Sequence, residues 1–111
     1  EDLLTANPDL AGIFAANEPS VLGAVQAVEA AGRTGEVVII GWDAAPDEIS
    51  ALREGRIAAL VVQNPFNMGY LGVANMVEHL REGTPMESAD TGVTFVTPEN
   101  IDTAEVQAVL E

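Results

Sequence analysis

No cysteine and no lysine occur in the sequence, and each absence removes a class of chemistry. Without thiols there can be no disulfides or thiolate metal sites, which suits an exported chain as well as a cytosolic one. Without lysine, the fixed cations are four arginines against 18 acidic side chains, a formal net charge of −14. The counterion-release term that drives binding to nucleic acids and anionic lipid surfaces would here be repulsive. No apolar run approaches the roughly 20 residues of a membrane span. The opening EDLLTANPDL has neither the basic nor the apolar region of a signal peptide. The chain is therefore expected to be soluble, with no nucleic-acid partner and no direct membrane insertion. The lone histidine, His79, has no second histidine with which to hold a metal and is expected on the solvated side of a helix. No metal site and no cofactor is expected.

What is present is enough apolar material, 48% of 111 residues, for one core and one domain. Three stretches share one design: LAGIFAANEP (10–19), VVIIGWDAAP (37–46) and AALVVQNP (58–65). Each is an apolar run too short for a helix, ending in Asn17, Asp43 or Gln63 with a proline two or three residues beyond, and each predicts a buried strand. Helical patterns follow them. PSVLGAVQAVEAAGR (19–33) places Val21, Leu22, Val25 and Val28 on one face, DEISALREGR (47–56) closes at Gly55, and FNMGYLGVANMVEHLREG (66–83) carries Tyr70, Val73, Val77 and Leu80 at helical spacing. Alternating strands and helices, with strands apolar on both faces, predict an α/β fold: a parallel sheet with helices on both faces in three αβα layers. Right-handed crossovers then bring all three polar strand ends to one edge. The segment EDLLTANP resembles the last turns of a helix, 91–101 predicts a strand and a turn, and 102–110 a short helix opened by a capping box of Asp102 and Glu105.

Ligands of open α/β sheets bind beyond the carboxyl ends of the strands, which makes Asn17, Asp43 and Gln63 the candidate binding residues. Amides and a carboxylate suit a neutral polyhydroxylated molecule, whose hydroxyls both donate and accept. Trp42 or Phe66 beside them could lie against the apolar face of a sugar ring. A phosphate ligand is disfavoured because no glycine-rich loop is present and the arginines sit on or just after the helices. Plainer roles stand beside these: Asn17 and Asp43 as helix caps, Gln63 as a partner for loop backbone, Trp42 as core, and Met68, Met76 and Met86 as core or gap filler. Glu78, Glu82, Glu87 and Asp90 predict solvated faces.

With these residues in place, NPDLAGIFAANEPSVLGAVQAVEAAGR (7–33) and VVIIGWDAAPDEISALREGRIAALVVQNPFNMGYLGV (37–73) resemble the C-terminal lobe of the ribose-binding-protein-like, type I periplasmic sugar-binding proteins of ABC transporters. The order is strand ending in Asn, helix, strand ending Gly-aromatic-Asp, helix with an acidic-Gly-basic turn, strand ending in Gln. The tail GVTFVTPENIDTAEVQ is similar to the strand that crosses back through the hinge, near 91–97, and the closing helix, 102–110. The resemblance implies that residues 1–111 are part of a C-terminal ligand-binding lobe, that Asn17, Asp43 and Gln63 hydrogen-bond a sugar, and that Trp42 lines the cleft. It also implies no covalent chemistry, hence no enzyme, and delivery of the sugar to an ABC transporter permease. The location it implies is periplasmic or extracytoplasmic, for a precursor exported by a signal peptide, with or without a lipid anchor.

Such proteins are nearly three times as long, so the resemblance implies a fragment without the N-terminal lobe and the first two strands of this one. The strand 10–17 would then be an apolar edge, covered by the missing N-terminal lobe or by a second copy. The sugar-responsive repressors of the lactose-repressor type share this lobe and are the alternative, against which TPENIDTAE (97–105) stands. A phospho-receiver built on Asp43 would carry a lysine at a neighbouring strand end, and there is none.

Overall fold

The computed structural model describes residues 1–110. Its elements are α1 (Asp2–Ala6), β1 (Gly12–Phe14), α2 (Glu18–Ala30), β2 (Val38–Trp42), α3 (Pro46–Arg53), β3 (Ala59–Gln63), α4 (Pro65–Glu82), β4 (Val93–Val96) and α5 (Ala104–Leu110). The strands form one open sheet in the order β1-β2-β3-β4, so the three repeated stretches are neighbours and β1 is an edge. β1, β2 and β3 run parallel, as the α/β pattern predicts, while β4 returns antiparallel along β3.

The core lies on one face of this sheet. Val21, Val25 and Val28 of α2 and Ala51 and Leu52 of α3 are buried together with Ile39, Leu60 and Val96 of the strands. Full burial of each such branched side chain contributes about 1.5–3 kcal/mol. The tightest point is Gly41, where an added Cβ would lie 2.7 Å from Leu60 Cδ2 and 2.9 Å from Val21 Cγ1. The missing side chain lets α2 sit directly on β2. On the opposite face, Phe14 is register partner to Ile40, and Trp42 to Val61, which in turn faces Phe95. Phe14, Val38, Val93 and Phe95 stay exposed there.

α4 stands apart from the sheet. Asn64 caps it by accepting the Asn67 N–H at 2.9 Å, and Gly83, in the left-handed conformation at φ 71°, ends it. Not one of its residues is buried. The stripe of Tyr70, Val73, Val77 and Leu80 is exposed, and so are Met68, Met76 and Met86, which therefore fill no core here. The described residues consequently extend 58 Å along one axis and only 17 Å along another. His79 is a surface residue, as its place on the helix suggested, with Nδ1 2.8 Å from the Thr84 carbonyl oxygen. No helix among the described residues is long and apolar enough to cross a membrane.

At α5 the expected capping box gives way to another cap. The helix opens at Ala104, so Thr103 is the capping residue, its Oγ1 3.4 Å from the Val106 N–H. Asp102 turns instead to Arg53 at the end of α3, at 2.6 Å, where the guanidinium lowers its carboxyl pKa.

Two glycines test the packing. Gly41→Ala is expected to lower stability by about 1–3 kcal/mol, because the Leu60 and Val21 side chains must move. Gly23→Ala, in α2 with nothing near its Cβ position, is expected to raise it by about 0.5–1 kcal/mol through helix propensity. Urea unfolding of both variants measures the difference; equal effects would mean that the contact at Gly41 relaxes freely.

Candidate functional site

β2 and β3 lie side by side in the sheet, and their carboxyl ends deliver Trp42, Asp43 and Gln63 to one place. Side chains alternate along a strand, so Asp43, following Trp42, would ordinarily project toward the face covered by α2. Its φ of 80° breaks that alternation. Such a backbone is uncommon outside glycine and must be held by its surroundings. The Asp43 N–H bonds the Val61 carbonyl at 3.0 Å, and Gln63 Nε2 donates to Asp43 Oδ1 at 2.7 Å. Asp43 is thereby excluded as the cap of α3, which begins only after Ala45, and Gln63 serves a side chain rather than loop backbone.

Asn17 sits at the end of the neighbouring β1 stretch and does cap α2, accepting the Ser20 N–H at 3.0 Å through Oδ1. The cap uses the oxygen and not the amide nitrogen. Among the described residues no hydrogen bond joins Asn17 to Asp43 or Gln63. Trp42 is half-buried and meets Phe14 edge-on, ring centres 6.3 Å apart at 90°. Phe66 lies in the first turn of α4, 81% exposed, stacked on Tyr70 at 6.4 Å and not on Trp42.

Two contributors were not singled out in the sequence. Phe14 is the last residue of β1, and strand periodicity from Gly12 was the available signal. Glu48 is the other. It is fully buried, and its Oε2 accepts the Ala45 N–H at 2.8 Å. The signal was PDE (46–48), proline at the first helical position with glutamate at the third, half of a capping box whose other half Ala45 has no oxygen to supply. Burial raises the Glu48 pKa above its ordinary value of 4.5; the Ala45 N–H bond opposes this, and the negative charges of Glu18 and Asp43 add to it. Glu48 Oε1 is buried without a hydrogen-bond partner.

The arrangement can accept hydrogen bonds through Asp43 and exchange them through amides, beside an aromatic edge. Among the described residues no three histidines, cysteines or carboxylates are placed to hold a metal. A hollow of about 300 Å³ lies elsewhere, lined by Leu4 and Thr5 of α1 and Ala27 and Ala30 of α2.

Comparison with known proteins bears on this edge. A family described as "Periplasmic binding protein domain" matches residues 1–85. The ribose import binding protein RbsB of Salmonella typhimurium is 40% identical over 73 residues, 66% of this chain and 24% of that protein. The D-allose-binding periplasmic protein of Escherichia coli is 34% identical over 90 residues, 79% of this chain and 29% of that protein. Among solved structures, an ABC transporter solute binding protein from Agrobacterium vitis with bound D-fucose superimposes with a TM-score of 0.87 at 41% identity, over 99% of this chain and 38% of that one. A carbohydrate transporter solute binding protein from Agrobacterium radiobacter in complex with D-arabinose gives 0.85 at 35% identity, over 99% of this chain and 37% of that one. The chain thus spans between a quarter and two-fifths of the proteins it is similar to.

The buried carboxyl makes a pH-dependent prediction. Because the folded-state pKa of Glu48 is raised, the folded chain holds this proton more tightly than the unfolded chain. The stability it contributes is fully present below the ordinary value of 4.5 and is lost as pH rises through the higher folded-state value. Glu48→Gln keeps an acceptor for Ala45 without an ionisable proton. Urea unfolding at several pH values should therefore show the two proteins diverging above pH 4.5, with the glutamine variant favoured. Parallel pH curves would place the Glu48 carboxyl in contact with water.

Proposed function

Because the chain belongs to the periplasmic binding protein domain family, we propose that it supplies one wall of a sugar-binding cleft in a solute-binding protein of an ABC importer. The observation that carries this reading is the Gln63–Asp43 pair at 2.7 Å on the carboxyl edge of the sheet. A carboxylate already held by one amide donor keeps lone pairs for two sugar hydroxyls, and such charge-assisted bonds are about twice as strong as neutral ones. Asn17 contributes its amide nitrogen to the same ligand, Trp42 an apolar surface for the ring, and Phe66 flanks the entrance from the start of α4. D-fucose and D-arabinose are the sugars bound to the similar structures, and monosaccharides of this kind are the proposed ligand class.

A second lobe completes the cleft and also accounts for what this body leaves uncovered. The exposed apolar stripe of α4 and the β1 edge are surfaces that a soluble protein covers. In this reading residues 1–111 belong to the C-terminal lobe, the 91–97 segment crosses the hinge, and the α4 stripe meets the other lobe. The loaded protein hands its sugar to a membrane permease in an extracytoplasmic compartment, and no bond is made or broken.

In the full-length protein, Asp43→Ala is expected to weaken monosaccharide binding by roughly 2–4 kcal/mol, since hydroxyls are then buried without a charged acceptor. Gln63→Ala should cost less, as it removes a neutral partner. Calorimetry with D-fucose, D-arabinose, D-allose and D-ribose measures both, and tryptophan fluorescence should report the same binding, Trp42 being the only tryptophan of this chain. Unchanged affinity for every sugar that binds, with the fold intact, would remove Asp43 from the site.

A further inference from the structure

We propose that Glu48 is a positioning residue for ligand binding, its buried carboxyl holding the turn from which Asp43 reaches the cleft. This rests on the sugar-binding reading above and adds to it a residue that touches no sugar. The turn is short: Asp43 with its φ of 80°, Ala44, Ala45, then Pro46 opening α3. Asp43 is fixed at its front by the Val61 carbonyl and Gln63. At its back, Ala45 has no side-chain oxygen and Pro46 no N–H, so the helix side holds Ala45 by two bonds: its carbonyl accepts the Ile49 N–H at 3.0 Å, and its N–H donates to Glu48 Oε2 at 2.8 Å, the one side-chain contact of the two. An unfavourable backbone angle persists only where the surroundings over-determine it, and this bond is one of the determinants.

The burial of Glu48 argues for more than a cap. A serine at position 45 would satisfy the helix terminus without burying a carboxyl group. Instead a side chain with no exposed surface is kept there, with Oε1 lacking a hydrogen-bond partner. Burying a polar atom in that way is costly. What the longer side chain provides is reach from inside α3 back to the base of the Asp43 turn, from beneath rather than from the solvent side where a ligand would come. The carboxylates facing it are Asp43 at the end of β2 and Glu18 in the first turn of α2.

The test separates reach from charge. Glu48→Gln retains an acceptor at the same distance without an ionisable proton, whereas Glu48→Asp retains the carboxyl group but is one methylene short of Ala45. In the full-length protein titrated with D-allose, D-arabinose, D-fucose and D-ribose, Glu48→Asp and Glu48→Ala are expected to lose about tenfold or more in affinity, and Glu48→Gln to stay within about twofold of the parent. A sugar-independent measurement accompanies it. By NMR, the Ala45 amide should be protected from exchange in the parent and the glutamine variant and exchange faster in the aspartate variant, with the Asp43 backbone amide resonance displaced. Parent-like affinity and undisturbed Ala45 and Asp43 amide signals in a folded Glu48→Asp protein would overturn the proposal. Should no sugar bind the parent, the transport reading fails, while the Ala45 and Asp43 signals still decide the role of Glu48.

Discussion

The contact at Gly41 is the constraint from which the rest of the site follows. Leu60 of β3 and Val21 of α2 both close on the place where its side chain would be. The sheet neighbour and the covering helix are thereby registered against β2 one residue before Trp42 and two before Asp43. Dense interiors transmit displacement poorly absorbed by neighbours. A shift of α2 would move Asn17 at its N-terminus, and a shift of β3 would move Gln63 at its end. One missing side chain thus fixes the relative positions of all three polar strand ends, even though only two of them are hydrogen-bonded to each other.

From that register the site departs from regular strand geometry in a way that patterns alone do not show. The strand, helix and turn signals around Asn17, Asp43 and Gln63 placed these residues at the carboxyl ends of β1, β2 and β3, and the elements formed within a few residues of the expected boundaries. What periodicity could not supply was the positive φ of Asp43, since aspartate tolerates this conformation without announcing it. The same limit hid Glu48. In DEISALREGR it resembles one more acid in a highly acidic chain, and only its place at the third helical position behind an alanine and a proline separates it from solvated neighbours. Likewise the α4 stripe was legible as apolar, but none of α4 is buried against the four-stranded body, and spacing alone carries no information on what covers a helix face. At α5, Asp102 and Thr103 compete for one role, and the outcome turned on Arg53, which lies 49 residues away in sequence.

The chemistry of the edge also limits what can bind there. A net charge of −14 with no lysine repels anions at long range, and at short range this edge itself presents the Asp43 carboxylate. A molecule held there in the proposed way must bring donors. Amines and hydroxyls both qualify, but an ammonium group would be drawn to acidic surface anywhere on this chain, whereas an aromatic edge beside one carboxylate and two amides rewards a neutral ring with hydroxyls on its rim and C–H groups on its faces. Hydrogen-bonding sites of this kind discriminate strongly against analogues that lack a hydroxyl, because the site's own polar groups are then left unpaired.

Selectivity built this way depends on the direction of the carboxylate more than on its charge. A charge misdirected by a fraction of a bond length still attracts, but it no longer accepts from two hydroxyls at once. Direction is set on one side by Gln63, which the proposed ligand would also touch, and on the other by the backbone of the Asp43 turn, which it would not. The first of these can adapt to the ligand, since the Gln63 side chain has rotamers to spare. The second is bound into the core through Glu48, Ala51 and Leu52 of α3. Under the proposed sugar-binding reading, a half-rigid, half-adaptable carboxylate would let related monosaccharides be held while the orientation of the ring stays fixed, and would connect the packing of the core to the recognition of a ligand that the core never touches.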